Sequence, residues 1–436
     1  MRARTAAGAI AAALAAALAA GPPADNPKKP PKGKGPAVTV TVGPAKPAAG
    51  SPAPNKPKPI SVDDLGGDFS VRGDRYYRVL VQKGSDLAAG KVVSSLERFA
   101  ALFLSQYGKR FSLSPSEGRC SAVFFKDEAS FKAWSQIHVP QLGNRFLPNG
   151  YYNSGFKSVF TYNPLTDEQI GKKVDDAMRN ASKGTYWTIE GQICRTREEL
   201  RAAFERMSDR DAYQNLAHEA THQLCYETGL FPPQLMDRPR WLVEGIACYY
   251  ALAPATDYAA PTNASYAKCD RLEVARRAAG GLAGRMSRIS EVVGNRNSAP
   301  ASAVMSGDET ILFYSTAWSL FHFLSHGDGG KWRPNLERLL ETYRSGKADE
   351  FFIRENLLTP AEIRAAAFDP PVDEAKMQRA LVAFFEKQVG PITAIEPAWR
   401  RHVESLAPAK APPKPDPGKK PPPPKNKPTP KDKPKK

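Results

Sequence analysis

Hydrophobic residues recur with two different spacings along the middle of the chain, and this change predicts two structural regions. Short runs rich in β-branched and aromatic residues predict strands at residues 76–82, 122–125, 150–152 and 157–162. Apolar residues three and four positions apart predict helices at residues 88–107 and 128–137, and this helical spacing dominates after Glu198. We therefore expect an α+β fold. A lobe with a small β-sheet and several helices spans residues 60–252, and a mostly helical lobe follows over residues 253–406.

The two ends of the chain differ in composition from this body. Residues 1–59 and 406–436 each carry a net charge of +8, so almost none of the total charge of +17 belongs to the remainder. Residues 21–59 and 407–436 are rich in Pro and Lys and poor in large apolar side chains, which predicts disordered segments. A basic globular nucleic-acid domain is therefore not expected, and no specific nucleic-acid partner is predicted. The tails either adhere to an anionic surface or wall polymer or act as solubilising spacers.

The first twenty residues have the pattern of a secretory signal peptide. Arg2 and Arg4 precede an apolar stretch at residues 6–20, which ends near a small-x-small cleavage pattern. No later segment approaches the length of apolar sequence that spans a bilayer, so we expect no transmembrane span after cleavage. We predict a secreted, periplasmic or cell-envelope protein. In that oxidising setting the pairing of five cysteines is open: Cys120, Cys194, Cys225, Cys248 and Cys269.

One segment carries the strongest chemical signal, the HExxH pattern from His218 to His222. Residues four apart lie on the same side of an α-helix, so both imidazoles can face one metal ion. Glu219 lies beside them, close enough to take a proton from the metal's water without being a ligand. The pattern predicts one catalytic zinc site with Glu219 as general base.

A catalytic zinc site needs a third protein ligand, and Glu244 is the best candidate. It follows His222 by 22 residues, after a stretch rich in Gly and Pro, and it lies in the apolar sequence WLVEGIA at residues 241–247. This order predicts helix, loop and second helix, with Gly245 small enough to let these two helices approach closely. Glu227 and Asp237 compete for the role of third ligand. A third histidine of the extended HExxHxxGxxH pattern is excluded, because Thr228 occupies its position.

These residues resemble the gluzincin zinc metallopeptidases, in particular the secreted bacterial peptidase MA-like group. The resemblance rests on the HExxH pattern and on WLVEGIA, which matches W-x-x-E-G-x-A. It also rests on the sequence from Tyr314 to Leu324, which looks like the family's downstream helix. The resemblance implies a zincin-like catalytic lobe and zinc ligands His218, His222 and Glu244. It further implies that Tyr314 donates its hydroxyl to the oxyanion of the tetrahedral intermediate.

Together these features predict a secreted zinc-dependent peptidase that acts on peptide or protein substrates. The resemblance also suggests that a substrate adds as an extra strand to the element at residues 150–162. The alternative is a non-catalytic zinc-containing surface module whose cationic tails adhere to anionic polymer.

The remaining cysteines and histidines leave further alternatives open. Cys225 and Cys248 lie near the expected metal-facing sides of their helices; they bridge those helices, or Cys248 pairs with Cys269, or a thiolate replaces Glu244 as ligand. His322 and His326 are also four apart, but their apolar surroundings favour core or cap histidines.

Overall fold

The computed structural model describes residues 59–66, 68–115, 118–139, 150–163, 166–179, 187–189, 192–232, 239–251, 270–281, 288–294, 307–366 and 373–406. The expected signal peptide, residues 21–58 of the expected linker and the C-terminal tail lie outside these residues, as do Asp237 and Cys269. The expectations for those segments, and the boundary placed between the two lobes, therefore stay predictions.

A five-stranded mixed sheet forms the centre of the first part of the chain. Its strands are β1 (Phe69–Arg72), β2 (Tyr77–Gln82), β3 (Cys120–Phe125), β4 (Gly150–Asn153) and β5 (Ser158–Tyr162), in the spatial order β1-β2-β3-β5-β4. The three inner strands are parallel, and the two outer strands run antiparallel to their neighbours. Every residue of β3 is buried, as expected for a strand covered on both faces. The outer strand β4 lies at the sheet edge.

Helices surround this sheet and make up most of the rest of the chain. The longer helices of the first part are α1 (Asp86–Phe103), α2 (Glu128–His138), α3 (Asp167–Arg179), α4 (Arg197–Glu227) and α5 (Arg240–Ala251). Those that follow are α6 (Asp270–Ala279), α7 (Ile289–Val293), α8 (Gly307–Gly330), α9 (Arg333–Arg344), α10 (Lys347–Arg354), α11 (Pro360–Ala366), α12 (Glu374–Gln388) and α13 (Ile392–Ser405). The expected α+β fold with a helical C-terminal part is confirmed.

Some elements differ from the sequence-based expectations. Strand β1, helix α3 and a small hairpin of β6 (Trp187–Ile189) and β7 (Gln192–Cys194) were not predicted. Their sequences are short or strongly polar, so the hydrophobic pattern is weak there.

One large hydrophobic cluster connects the sheet to the helical part. It includes side chains of β2 and β3, of α4 and α5, and of α8, α12 and α13. Trp241, Trp318 and Trp399 are its largest members and are fully buried. None of the helices within the described ranges combines the length and apolar character needed to cross a membrane.

Candidate metal centre

Helix α4 carries the HExxH residues and is anchored at both ends. At its start, the Thr196 hydroxyl accepts from the Glu199 amide while the Glu199 carboxylate accepts from the Thr196 amide, a capping box that fixes the first turn. Near its end, the buried amide of Gln223 donates to the carbonyl oxygens of Ser121 and Lys157 at 2.8 and 2.9 Å. These bonds hold the last turns of α4 against β3 and the turn before β5.

His218, His222 and Glu244 converge at the contact between α4 and α5. The two imidazole Nε2 atoms are 3.1 Å apart. Glu244 Oε2 lies 3.2 Å from Nε2 of His218 and 3.5 Å from Nε2 of His222. Within the described part of the chain this is the one group of three or more His, Cys, Asp or Glu residues able to hold a metal ion. The three residues are predicted ligands, and the fold brings them together.

The spacing of these three atoms fits a tetrahedral ion. Zinc binds imidazole nitrogen and carboxylate oxygen at about 2.0–2.2 Å, so tetrahedral geometry separates its ligand atoms by about 3.3–3.5 Å. The observed separations of 3.1, 3.2 and 3.5 Å bracket that value closely. Glu244 Oε2 is also buried and accepts no hydrogen bond from the described residues. A buried carboxylate oxygen without a hydrogen bond is costly unless a cation is its partner.

The electrostatic surroundings keep Glu244 ionised. Burial tends to raise the pKa of its carboxyl group, but the adjacent imidazoles of His222 and His218 outweigh burial and hold that pKa well below its usual range. The carboxylate is therefore in the form that binds a metal ion at neutral pH.

Cys248 contacts the other side of the His218 ring. Its Sγ lies 3.8 Å from Nδ1 of His218, one helical turn beyond Glu244 on α5. Metal-binding histidines generally use the second ring nitrogen to bond an outer partner, which fixes the tautomer and the ring orientation. Here a buried thiol takes the place that a carboxylate or carbonyl oxygen usually has.

Glu219 lies beside the candidate metal-binding group but is not part of it. Its Oε2 accepts a hydrogen bond of 2.9 Å from the backbone amide of Tyr152 on β4. Burial raises the pKa of Glu219, while His218, His222 and the Tyr152 amide oppose that change. A carboxylate of raised pKa, held by one oxygen only, has the properties of a general base.

Tyr314 approaches the centre from α8. Its ring lies 6.1 Å from the His218 ring, centroid to centroid. The Glu244 carboxylate, together with burial, raises the pKa of Tyr314. The phenol therefore keeps its proton at neutral pH and is a hydrogen-bond donor.

The competing ligands have other partners or lie outside the described residues. Glu227 accepts a 2.8 Å hydrogen bond from the Tyr152 hydroxyl and lies 3.6 Å from Nζ of Lys157, so it binds the sheet edge. Asp237 is among the residues that the structure leaves undescribed. Cys225 and Cys248 are both buried free thiols, so the bridge considered between them is not formed. Cys120 and Cys194 are also buried.

The second histidine pair belongs to the core, as expected. His322 Nδ1 lies 2.9 Å from Nε2 of His402, and His326 Nε2 lies 2.7 Å from the hydroxyl of Tyr249. Burial, with smaller contributions from His326 and His402, lowers the pKa of His322 to about 2. No residue pattern predicted the contact of His402 with His322.

Three groups near the centre were not predicted from the sequence. The Tyr152 amide is a backbone group, which no residue pattern identifies. Arg240 precedes Glu244 by one helical turn, a spacing that does place it on the same side of α5. Arg271 lies on α6, and its guanidinium Cζ is 5.4 Å from the centroid of the Tyr314 ring.

Part of the chain is similar to a family of known sequences. Residues 213–338 match a family described as "Protein of unknown function (DUF1570)". The matched segment contains the HExxH residues, Glu244 and Tyr314, so the similarity covers the candidate centre and not the sheet. No curated protein matches the chain.

Proposed function

We propose that this protein is a zinc-dependent peptidase of the gluzincin kind, in which His218, His222 and Glu244 hold one zinc ion. The observation that carries the proposal is the triangle of two Nε2 atoms and one Oε2 atom, with separations of 3.1–3.5 Å, beside a fourth group, Glu219, that stays out of it. A structural zinc site has four protein ligands, whereas a catalytic site has three and an open position. The described residues provide three.

Each residue of the centre has a distinct part in hydrolysis. When bound, zinc lowers the pKa of a water molecule to about 7 and polarises the substrate carbonyl. Glu219 accepts the proton from the attacking water and then donates it to the leaving amine. The Tyr152 amide fixes one oxygen of Glu219 and leaves the other free for this transfer. The Tyr314 hydroxyl donates a hydrogen bond to the oxyanion.

The edge of the sheet provides the surface for a peptide. Strand β4 is the outer strand beside β5, and its amide at Tyr152 is already directed at Glu219. An extended peptide that pairs with β4 would therefore lie next to the general base.

Metal content and hydrolysis, measured on matched variants, test this proposal. Glu219→Gln keeps one equivalent of zinc and loses hydrolysis of a broad peptide library, because Glu219 is not a ligand. Glu244→Gln and His218→Ala lose the zinc as well. Glu205→Gln is the control and keeps both properties, because Glu205 is a partly exposed residue of the same helix that pairs with Arg201. Zinc bound by the wild type with no cleavage of any peptide would favour the non-catalytic surface module.

The proposal includes export and retention near the cell envelope. Its support is the sequence alone: the signal-peptide pattern of residues 1–20 and the cationic segments at 21–59 and 407–436. Binding of the full chain to anionic wall polymer, compared with a chain lacking residues 407–436, tests the role of the C-terminal tail. Salt-sensitive binding that the deletion weakens is expected.

A further inference from the structure

Two arginines lie on the helical side of the candidate centre, around Tyr314. The guanidinium of Arg271, in the first turn of α6, lies over the Tyr314 ring with Cζ 5.4 Å from its centroid. The Tyr314 ring is itself 6.1 Å from the His218 ring. These two separations together limit the distance from the guanidinium to the His218 ring to about 11.5 Å, which three to four extended residues span.

Arg240 adds a second positive charge next to the same phenol. It is the first residue of α5, and its guanidinium Cζ lies 5.4 Å from the centroid of the Phe313 ring. Its hydrogen bond to the Tyr314 side chain acts against the pKa increase caused by Glu244 and burial. Arginine has no acceptor atom, so in this bond Arg240 donates to the phenol oxygen. The Tyr314 proton therefore remains available for another partner.

The position of Arg271 leaves its donors usable. The Tyr314 ring face gives the guanidinium a cation–π contact and not a hydrogen-bond acceptor, so this contact does not use up the five N–H donors of Arg271. Within the described ranges Arg271 has no ion pair with a carboxylate. The two carboxylates of the candidate centre have other partners, because Glu244 faces the imidazole pair and Glu219 accepts from the Tyr152 amide. A planar fork of donors is the group that best recognises a carboxylate.

We propose that Arg271, with Arg240 beside it, binds a carboxylate of the substrate within about three residues of the bond that is cleaved. This inference rests on the proposed peptidase function and specifies its substrate class. The carboxylate has two sources, an acidic side chain or the free C-terminus of the peptide. The first makes the protein an endopeptidase that prefers acidic sequences, and the second directs it to peptide ends.

A matched set of peptides tests the preference. The peptides share one sequence and differ in Glu, Gln or Lys at a single position near the cleaved bond, each with a free or an amidated C-terminus. For wild-type protein we expect kcat/KM to be about 10- to 100-fold higher with the relevant carboxylate than without it, mainly through KM. A lower kcat/KM with Gln than with Glu identifies the side chain as the recognised carboxylate. A lower kcat/KM after amidation identifies the C-terminus.

Variants of Arg271 connect the preference to this residue. In Arg271→Gln the peptides with and without the carboxylate have about equal kcat/KM, whereas Arg271→Lys retains part of the preference. Arg271→Glu shifts the preference towards the peptide that carries Lys. Arg277→Gln is the control, because Arg277 is an exposed residue of the same helix. A preference that survives in Arg271→Gln, or that Arg277→Gln reduces equally, overturns the inference while the peptidase proposal stands.

A binding measurement separates the two proposals. Fluorescent versions of the same peptides are titrated with zinc-loaded Glu219→Gln protein, in which binding is read by anisotropy without hydrolysis. Binding that depends on the carboxylate and on Arg271 supports the inference even where no peptide is cleaved, in which case only the peptidase proposal fails. Equal binding of all the peptides overturns the inference.

Discussion

The close packing of Gly245 against α8 makes the neighbouring Glu244, a proposed zinc ligand, sensitive to a single methyl group. A Cβ atom at position 245 would lie 2.8 Å from the carbonyl oxygen of Ala317 and 3.3 Å from Cβ of Phe321. Ordinary contacts between such atoms begin near 3.5 Å, so Gly245→Ala forces α5 and α8 apart by about 0.5–0.7 Å. The nearest obstacle is backbone, which cannot rotate away.

The expected effect is a loss of stability together with a loss of metal affinity. Overpacking of this kind costs about 1–3 kcal/mol of the free energy of unfolding. The movement also shifts Glu244, whose Oε2 lies only 3.2 Å from Nε2 of His218, so the dissociation constant for zinc rises. If displacement of Glu244 from the imidazole pair costs about 1.4 kcal/mol of zinc-binding free energy, the dissociation constant rises about tenfold.

Urea unfolding and zinc competition with a chromophoric chelator measure these two quantities. Gly90→Ala is the matched control, because Gly90 is an exposed residue of α1 where a Cβ would meet no atom within 4 Å. That variant gains about 0.5–1 kcal/mol in unfolding free energy and binds zinc as the wild type does. If Gly245→Ala is as stable as wild type and binds zinc equally well, the close contact between α5 and α8 is refuted.

Three further predictions concern side chains in or near the centre. Cys248→Ala weakens zinc binding about 10- to 100-fold, because His218 loses its outer partner, whereas Cys248→Ser retains most of the affinity; equal affinities in all three proteins would contradict this role. Tyr314→Phe keeps one equivalent of zinc but lowers kcat about 100- to 1000-fold, and an unchanged kcat would remove Tyr314 from the mechanism. The pKa of the buried His322 is lowered to about 2, so the folded state excludes a proton that the unfolded chain binds below pH 6.5. The stability contributed by neutral His322 is therefore complete above pH 6.5 and falls by about 2 kcal/mol at pH 5. Urea titrations at both pH values should show a smaller fall in His322→Asn, and an equal fall would argue against a neutral buried ring.

Local sequence patterns predicted the helix with His218 and His222, because the i, i+4 relation lies within one element. They also predicted that Glu244 meets this pair, since the intervening loop is short and the apolar sequence around Glu244 indicates a buried helix. The strands β2 to β5 followed from their β-branched and aromatic runs. The hydrophobic pattern was therefore sufficient where the relevant contacts are local or where one short connection joins two elements.

Contacts between distant parts of the chain were not predictable in this way. We expected Gly245 to allow the approach of α4 and α5, but the atoms nearest its missing Cβ all belong to α8, more than seventy residues later. The bond between the Tyr152 amide and Glu219 joins groups 67 residues apart. Arg271 reaches Tyr314 only because α6 and α8 pack together. No periodicity within one segment reports which helix becomes its neighbour.

The bond between Tyr152 and Glu219 would determine the frame in which a peptide joins the sheet. In an antiparallel edge strand, only alternate residues direct their backbone groups outward, and on β4 these are Gly150 and Tyr152. The outward amide of Tyr152 is already occupied by Glu219. A peptide that pairs with β4 therefore cannot hydrogen-bond to the Tyr152 amide. Its alignment along β4 depends on the outward backbone groups that remain unoccupied. Glu219 would thus set the register in which a peptide pairs with β4, independent of which side chains the peptide carries.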